Sequence, residues 1–116
     1  MSTWWEARRA ARVTQLACVL EFFGAEPVED PGVGELARAA GALAGEYRAS
    51  DRGRAVLRAG DLLEQAADAL HAADRLRGTP VPVVNHHLRL AALALSHARS
   101  CLRTQAYPVV RGVPPA

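Results

Sequence analysis

The sequence predicts an all-α protein, an antiparallel four-helix bundle with a short extended C-terminal tail. Three observations favour this class. Ala and Leu supply most of an apolar content of 50%, and β-branched residues other than Val are few, which disfavours a sheet. Apolar residues also recur every three or four positions along four segments. Because 116 residues are too few for two separate cores, we expect one helical domain over residues 1–106 and a Pro-containing tail over residues 107–116.

The first helix is predicted from about Thr3 to Phe23, and its apolar residues form two adjoining lines. One line contains Val13, Leu16, Ala17, Leu20 and Phe23, and the second contains Trp4, Ala11, Cys18 and Phe22. Together the two lines form an apolar surface that is too wide for one neighbouring helix to cover. This helix is therefore expected either at the centre of the bundle or in an interface with another chain.

Turn-forming residues separate the next two helices. The segment from Gly24 to Gly34 ends the first helix, and Asp30 followed by Pro31 is a suitable start for the second. The break before the third helix is predicted at Ser50–Gly53, with Gly60–Asp61 as the alternative. The residues expected to face inward on the third helix are Val56, Ala59, Leu63, Ala66, Leu70 and Ala73.

The fourth helix is predicted from about Val83 to Gln105, after a Pro-containing connection at Gly78–Pro82. Its seam alternates four and three residues apart, as in a bundle, and contains Val84, Leu88, Ala91, Leu95, Ala98 and Leu102. The segment that follows is rich in proline, so we expect it to be extended.

An alanine-rich bundle of this size buries little apolar surface and should be marginally stable alone. Self-association would cover the first helix and the two tryptophans. The alternative is that the tryptophans fold over the end of the bundle beneath the tail. We expect a non-enzymatic interaction or assembly module, a homodimer or a small subunit of a complex, whose contact residues are Trp4, Trp5, Phe22, Phe23 and Tyr107.

Arginine supplies all 14 basic residues other than histidine, and the chain has no Lys and no Ile. Codons for the missing residues are AT-rich, so a GC-rich bacterial genome explains this bias without selection for nucleic-acid binding. The formal net charge is only +2. A nucleic-acid-associated regulator is nevertheless one alternative function, because phosphates could contact the cluster around the second break, formed by Arg48, Arg52, Arg54 and Arg58.

A metal- or small-ligand-binding bundle is the other alternative. His97 and Cys101 are four residues apart, so both can lie on one helix face as metal ligands. A complete site would need Cys18 or a carboxylate from another helix. Asp68 and His71 are spaced like a di-iron pair, but the chain has no second such pair. We therefore expect no cofactor, and no set of residues supports catalysis.

The N-terminal segment does not have the pattern of a signal peptide. Arg12, Thr14 and Gln15 interrupt its apolar run, and no stretch approaches the roughly 18 apolar residues that span a bilayer. We therefore expect a cytoplasmic protein without membrane contact. In that compartment Cys18 and Cys101 are expected to be reduced core thiols.

Overall fold

The computed structural model describes the backbone of residues 3–112 and the side chains of residues 3–103. This range contains four helices and no strand, which confirms the all-α four-helix class: α1 (Thr3–Phe23), α2 (Val33–Ala49), α3 (Arg54–Arg75) and α4 (Val81–Gly112). The molecule is elongated, measuring 61 × 25 × 23 Å. Within the described residues, no helix has both the length and the apolar character needed to cross a bilayer.

α3 lies between α2 and α4 and runs antiparallel to both. Gly34, near the start of α2, approaches Asp74 at the end of α3, while Tyr47 near the end of α2 approaches Gly60 in the first half of α3. The predicted inward residues of α3 are all buried, as are those of α4 except Leu102, which is partly buried. The helical periodicity therefore identified the core of both helices.

α1 is the peripheral helix of the bundle and not its centre. It runs in the same direction as α4: the Asn85 side chain donates a 3.3 Å hydrogen bond from Nδ2 to the carbonyl of Trp5, and towards the other end the Arg99 guanidinium lies over the Phe22 ring. The connection 24–32 must therefore turn back beside α1 before α2 begins. Only the C-terminal half of α1 enters the core, through Leu16, Leu20 and Phe23.

The break between α2 and α3 lies at the predicted position, Ser50–Gly53. Gly53 has a φ of 120°, a conformation that glycine adopts without a steric penalty. Gly60, in the alternative position, is buried inside α3. There α2 passes so close that a Cβ on Gly60 would lie 2.7 Å from Cγ of Arg48, so this glycine permits close helix packing.

α2 begins at Val33, two residues after the predicted start at Pro31. The cause is a cap at Gly32, whose backbone N–H donates a 2.9 Å hydrogen bond to Oε1 of Glu35. A glutamate three residues inside a helix commonly closes the first turn in this way. Pro31 therefore belongs to the connection that precedes the helix.

α4 continues to Gly112, past the end predicted at Gln105. The segment expected to be extended from Tyr107 onwards is consequently helical as far as Gly112. The prediction relied on the prolines of this segment, but a proline inside a helix can kink the helix without ending it. The remainder of the predicted tail, residues 113–116, lies outside the described residues.

Candidate functional site

One face of α1 points away from the bundle along most of the helix. Its residues are three or four positions apart, so they lie on one side of the helix, and every one of them is exposed. We call this the outer face of α1: Trp4, Arg8, Ala11, Gln15, Cys18 and Phe22. Trp4 is 58% exposed and Phe22 57%, so the second apolar line predicted from the sequence is not covered by the described part of the chain.

Each exposed ring of the outer face is supported in the same two ways. Trp4 meets Trp5 edge to face, with centroids 4.6 Å apart, and the Arg8 guanidinium lies 5.0 Å from the Trp4 ring centroid. Phe22 meets Phe23 edge to face. Arg99 lies 5.1 Å from the Phe22 ring centroid. These contacts orient both rings within the single chain.

The tryptophan end of α1 lies beside the start of α4, where Asn85 contacts Trp5. Gly112 is 27 residues further along α4, about 40 Å away at 1.5 Å per residue. The C-terminal end of α4 is therefore at the opposite end of the molecule. This arrangement argues against the alternative in which the C-terminal segment covers the tryptophans.

Two predicted contact residues have a different placement from the others. Phe23 is a core residue, only 4% exposed, and its ring packs against Tyr47 with centroids 6.1 Å apart. It therefore stabilises the fold and is not available to a partner. The side chain of Tyr107 lies outside the described residues.

The predicted arginine cluster is divided between different surroundings. Arg48 reaches across to α3, where its Nε is 3.7 Å from Asp61 Oδ1 and its Nη1 is 3.6 Å from Glu64 Oε1. Its charge is thus largely offset. Arg52 lies in the connection between α2 and α3 and its positive charge acts on Tyr47.

The other two arginines of the cluster, Arg54 and Arg58, lie in the first turns of α3. They line a shallow depression together with Leu57 and Cys101. This surface combines a half-exposed leucine with two exposed arginines, and none of its described side chains is an aromatic ring on which a base could stack.

The candidate metal ligands are not joined by a third. His97 is exposed and Cys101 is half-buried. Among the residues that the structure describes, no group of three or more His, Cys, Asp or Glu side chains could hold a metal ion. Cys18 is a free thiol on the outer face of α1, and not the core residue that the sequence predicts.

A groove that the sequence analysis missed lies between the N-terminal halves of α1 and α4. Its volume is about 460 Å³, and its basic lining residues are Arg8, Arg12, His86 and Arg89. Arg8 and Arg12 are one helical turn apart, which is a visible signal in the sequence. Arg89 joins them only because α1 and α4 run in the same direction, and no local pattern predicts that.

Comparison of the chain with protein-family models, with curated proteins and with solved structures finds no significant match.

Proposed function

We propose that the protein is a non-enzymatic assembly module in which two copies associate through the outer face of α1. The observation that supports this proposal is the pair of large rings, Trp4 and Phe22, each more than half exposed at opposite ends of one helix face. Large aromatic anchors flanked by arginine are typical of the residues that dominate binding energy in protein interfaces.

The order of residues on the outer face favours a second copy of the chain as the partner. A two-fold interface requires a surface that is complementary to itself. Here a large ring stands at each end, and the small side chains of Ala11 and Cys18 lie between them. Two such faces fit together in antiparallel orientation, with each tryptophan against a phenylalanine of the other copy and each small residue opposite a longer side chain.

This orientation defines a register. When Trp4 is aligned with Phe22 of the second copy, each residue lies opposite the residue of the second copy for which the two residue numbers sum to 26. Arg8 then lies opposite Cys18 of the second copy, and Ala11 lies opposite Gln15 of the second copy. A shift by one turn in either direction would leave a ring without an aromatic partner.

A dimer also explains why the first half of α1 is helical. Residues 3–15 contain no buried side chain, and an isolated helix shorter than about 12–15 residues is marginal in water. Val13 packs against the core from a partly buried position, and packing against a second copy of α1 would add apolar contact for Trp4 and Ala11.

Sedimentation velocity of the full chain at tens of micromolar tests the proposal. We expect a species of twice the 12.4 kDa mass of one chain. Phe22→Ser should weaken the association by at least about tenfold, the effect of losing about 1.4 kcal/mol. Leu57→Ser is the matched control, because Leu57 is also an exposed leucine (41%) and lies on α3, the one described helix that does not pack against α1.

Circular dichroism of both variants verifies that the helices are intact. The wild-type chain remaining a monomer at all concentrations would contradict the proposal. So would a Phe22→Ser protein that is folded and dimerises as strongly as the Leu57→Ser control.

A further inference from the structure

The groove between α1 and α4 has an unusual charge balance for this chain. Three arginines line it, Arg8 and Arg12 from α1 and Arg89 from α4, and its lining contains no aspartate or glutamate. Within the described residues, none of these three arginines forms an ion pair with a carboxylate. The start of α4 adds the positive end of a helix dipole at the same place.

The contrast with the other large groove shows that this balance is local. That groove has a volume of about 1070 Å³ and also contains three arginines, but they are accompanied by Glu21, Asp30, Glu35 and Asp74. Its charges are offset from within the protein. The lining of the groove between α1 and α4 contains no carboxylate to offset the charge of its three arginines, so an anionic ligand could do so.

The wall of this groove has two further features. Trp5 is 37% exposed there, which gives a flat apolar surface beside the arginines. Asn85 is fixed by the hydrogen bond from its Nδ2 to the Trp5 carbonyl, while its Oδ1 is buried without a partner. The wall therefore combines an exposed aromatic ring with an amide that is held in place beside it.

We propose that the groove binds a phosphorylated small molecule with a flat ring, of nucleotide size. Its phosphates would lie among Arg8, Arg12 and Arg89, which donate charge-assisted hydrogen bonds, and its ring would pack against Trp5. The volume of about 460 Å³ is within the usual range of about 300–1,000 Å³ for small-molecule sites. Arg8 also belongs to the outer face of α1, whereas Arg12 and Arg89 do not, so a variant of Arg89 tests this site without altering the face of the proposed dimer.

Intrinsic fluorescence offers a direct test, since the chain contains two tryptophans and both are at this end of the molecule. The full chain is titrated separately with ATP, tripolyphosphate and adenosine. We expect a saturable change with ATP, and weaker binding of tripolyphosphate and of adenosine, because each lacks one half of the ligand. The affinity for ATP should fall as salt is added.

Variants assign the binding to the groove. Arg89→Ala should weaken ATP binding by at least about tenfold, as expected for the loss of one charge-assisted contact. Arg75→Ala is the control: it removes the same charge from an exposed position on α3 and should leave the affinity unchanged. Both variants should sediment like the wild-type chain, which separates failure of this site from failure of the dimer.

Three results would overturn the inference. The first is the absence of a saturable response to ATP. The second is an equal loss of affinity in Arg89→Ala and Arg75→Ala, which would indicate an effect of net charge alone. The third is tighter binding of single-stranded DNA or of anionic phospholipid vesicles than of ATP, which would assign the arginines to a larger polyanion.

Discussion

The hydroxyl of Tyr47 donates a 3.0 Å hydrogen bond to the main-chain carbonyl of Phe23. Phe23 is the last residue of α1, and its carbonyl is among those that a helix end leaves without an intrahelical partner. The two rings also pack together. Tyr47 thus attaches the C-terminal end of α1 to α2, at the place where the peripheral helix enters the core.

Tyr47→Phe retains the ring and removes the hydrogen bond. We expect the free energy of unfolding to fall by about 1 kcal/mol, the typical net contribution of such a bond. Urea denaturation measures this change through the unfolding midpoint. An unchanged midpoint would show that water replaces the hydroxyl at the Phe23 carbonyl without loss.

The same tyrosine predicts a change of stability at high pH. Burial raises the pKa of Tyr47 and the nearby Glu46 raises it further, while Arg52 opposes both. In the unfolded chain the pKa of this tyrosine is about 10. Because its pKa is higher in the folded state, its contribution to stability is complete below about pH 10 and is lost as the pH rises through the folded-state pKa. The urea midpoint should therefore fall above about pH 10 in the wild-type chain and fall less in Tyr47→Phe. The other tyrosine, Tyr107, is present in both proteins. If the urea midpoints of the wild-type chain and of Tyr47→Phe fell equally with pH, the assignment to Tyr47 would be contradicted.

Two glycines in helices should respond to alanine in opposite ways. At Gly60 a Cβ would lie 2.7 Å from Arg48 Cγ and 3.1 Å from the Arg48 backbone nitrogen. Overpacking of this kind costs about 1–3 kcal/mol, so Gly60→Ala should destabilise the protein. At Gly45 a Cβ would meet nothing within 4 Å, so Gly45→Ala should stabilise α2 by up to about 1 kcal/mol. Thermal unfolding of both variants measures the difference, and a stabilised Gly60→Ala protein would contradict the close approach of α2.

The sequence was sufficient for the positions of the helices and for most of the core. Apolar spacing on α3 and α4 identified buried residues such as Leu63, Leu70 and Leu88, because each of these helices has one well-defined apolar face. The bounds of α1 were also predicted correctly. These features depend on local periodicity, which a single sequence displays directly.

The placement of α1 could not be predicted in this way. Its two apolar lines indicate how wide its apolar surface is, but they do not indicate which element packs against that surface. The structure covers one line, with Leu16 and Leu20, and leaves the line with Trp4 and Phe22 exposed. The direction of α1 relative to α4 depends on the path of the connection 24–32. The proximity of Arg8 and Arg12 to Arg89 could therefore not be predicted from the sequence either.

The end of α4 was missed for a local reason. Pro108 indicates a break, yet the helix continues to Gly112, and a proline can kink a helix without ending it. The start of α2 was missed because a capping glutamate, Glu35, competes with the proline signal at Pro31.

Disulfide trapping tests the proposed antiparallel register of α1 most directly. In a Cys101→Ser background, the thiol introduced by Arg8→Cys should oxidise with Cys18 of a second copy, since these positions lie opposite each other and disulfides need Cα atoms within about 7 Å. Arg58→Cys, at an exposed position of α3, is the control and should remain monomeric on a non-reducing gel. Predominant covalent dimer from Arg8→Cys, joined through Cys18 in peptide mapping, is the expected result. Equal and slight cross-linking in both variants would contradict association through the outer face of α1.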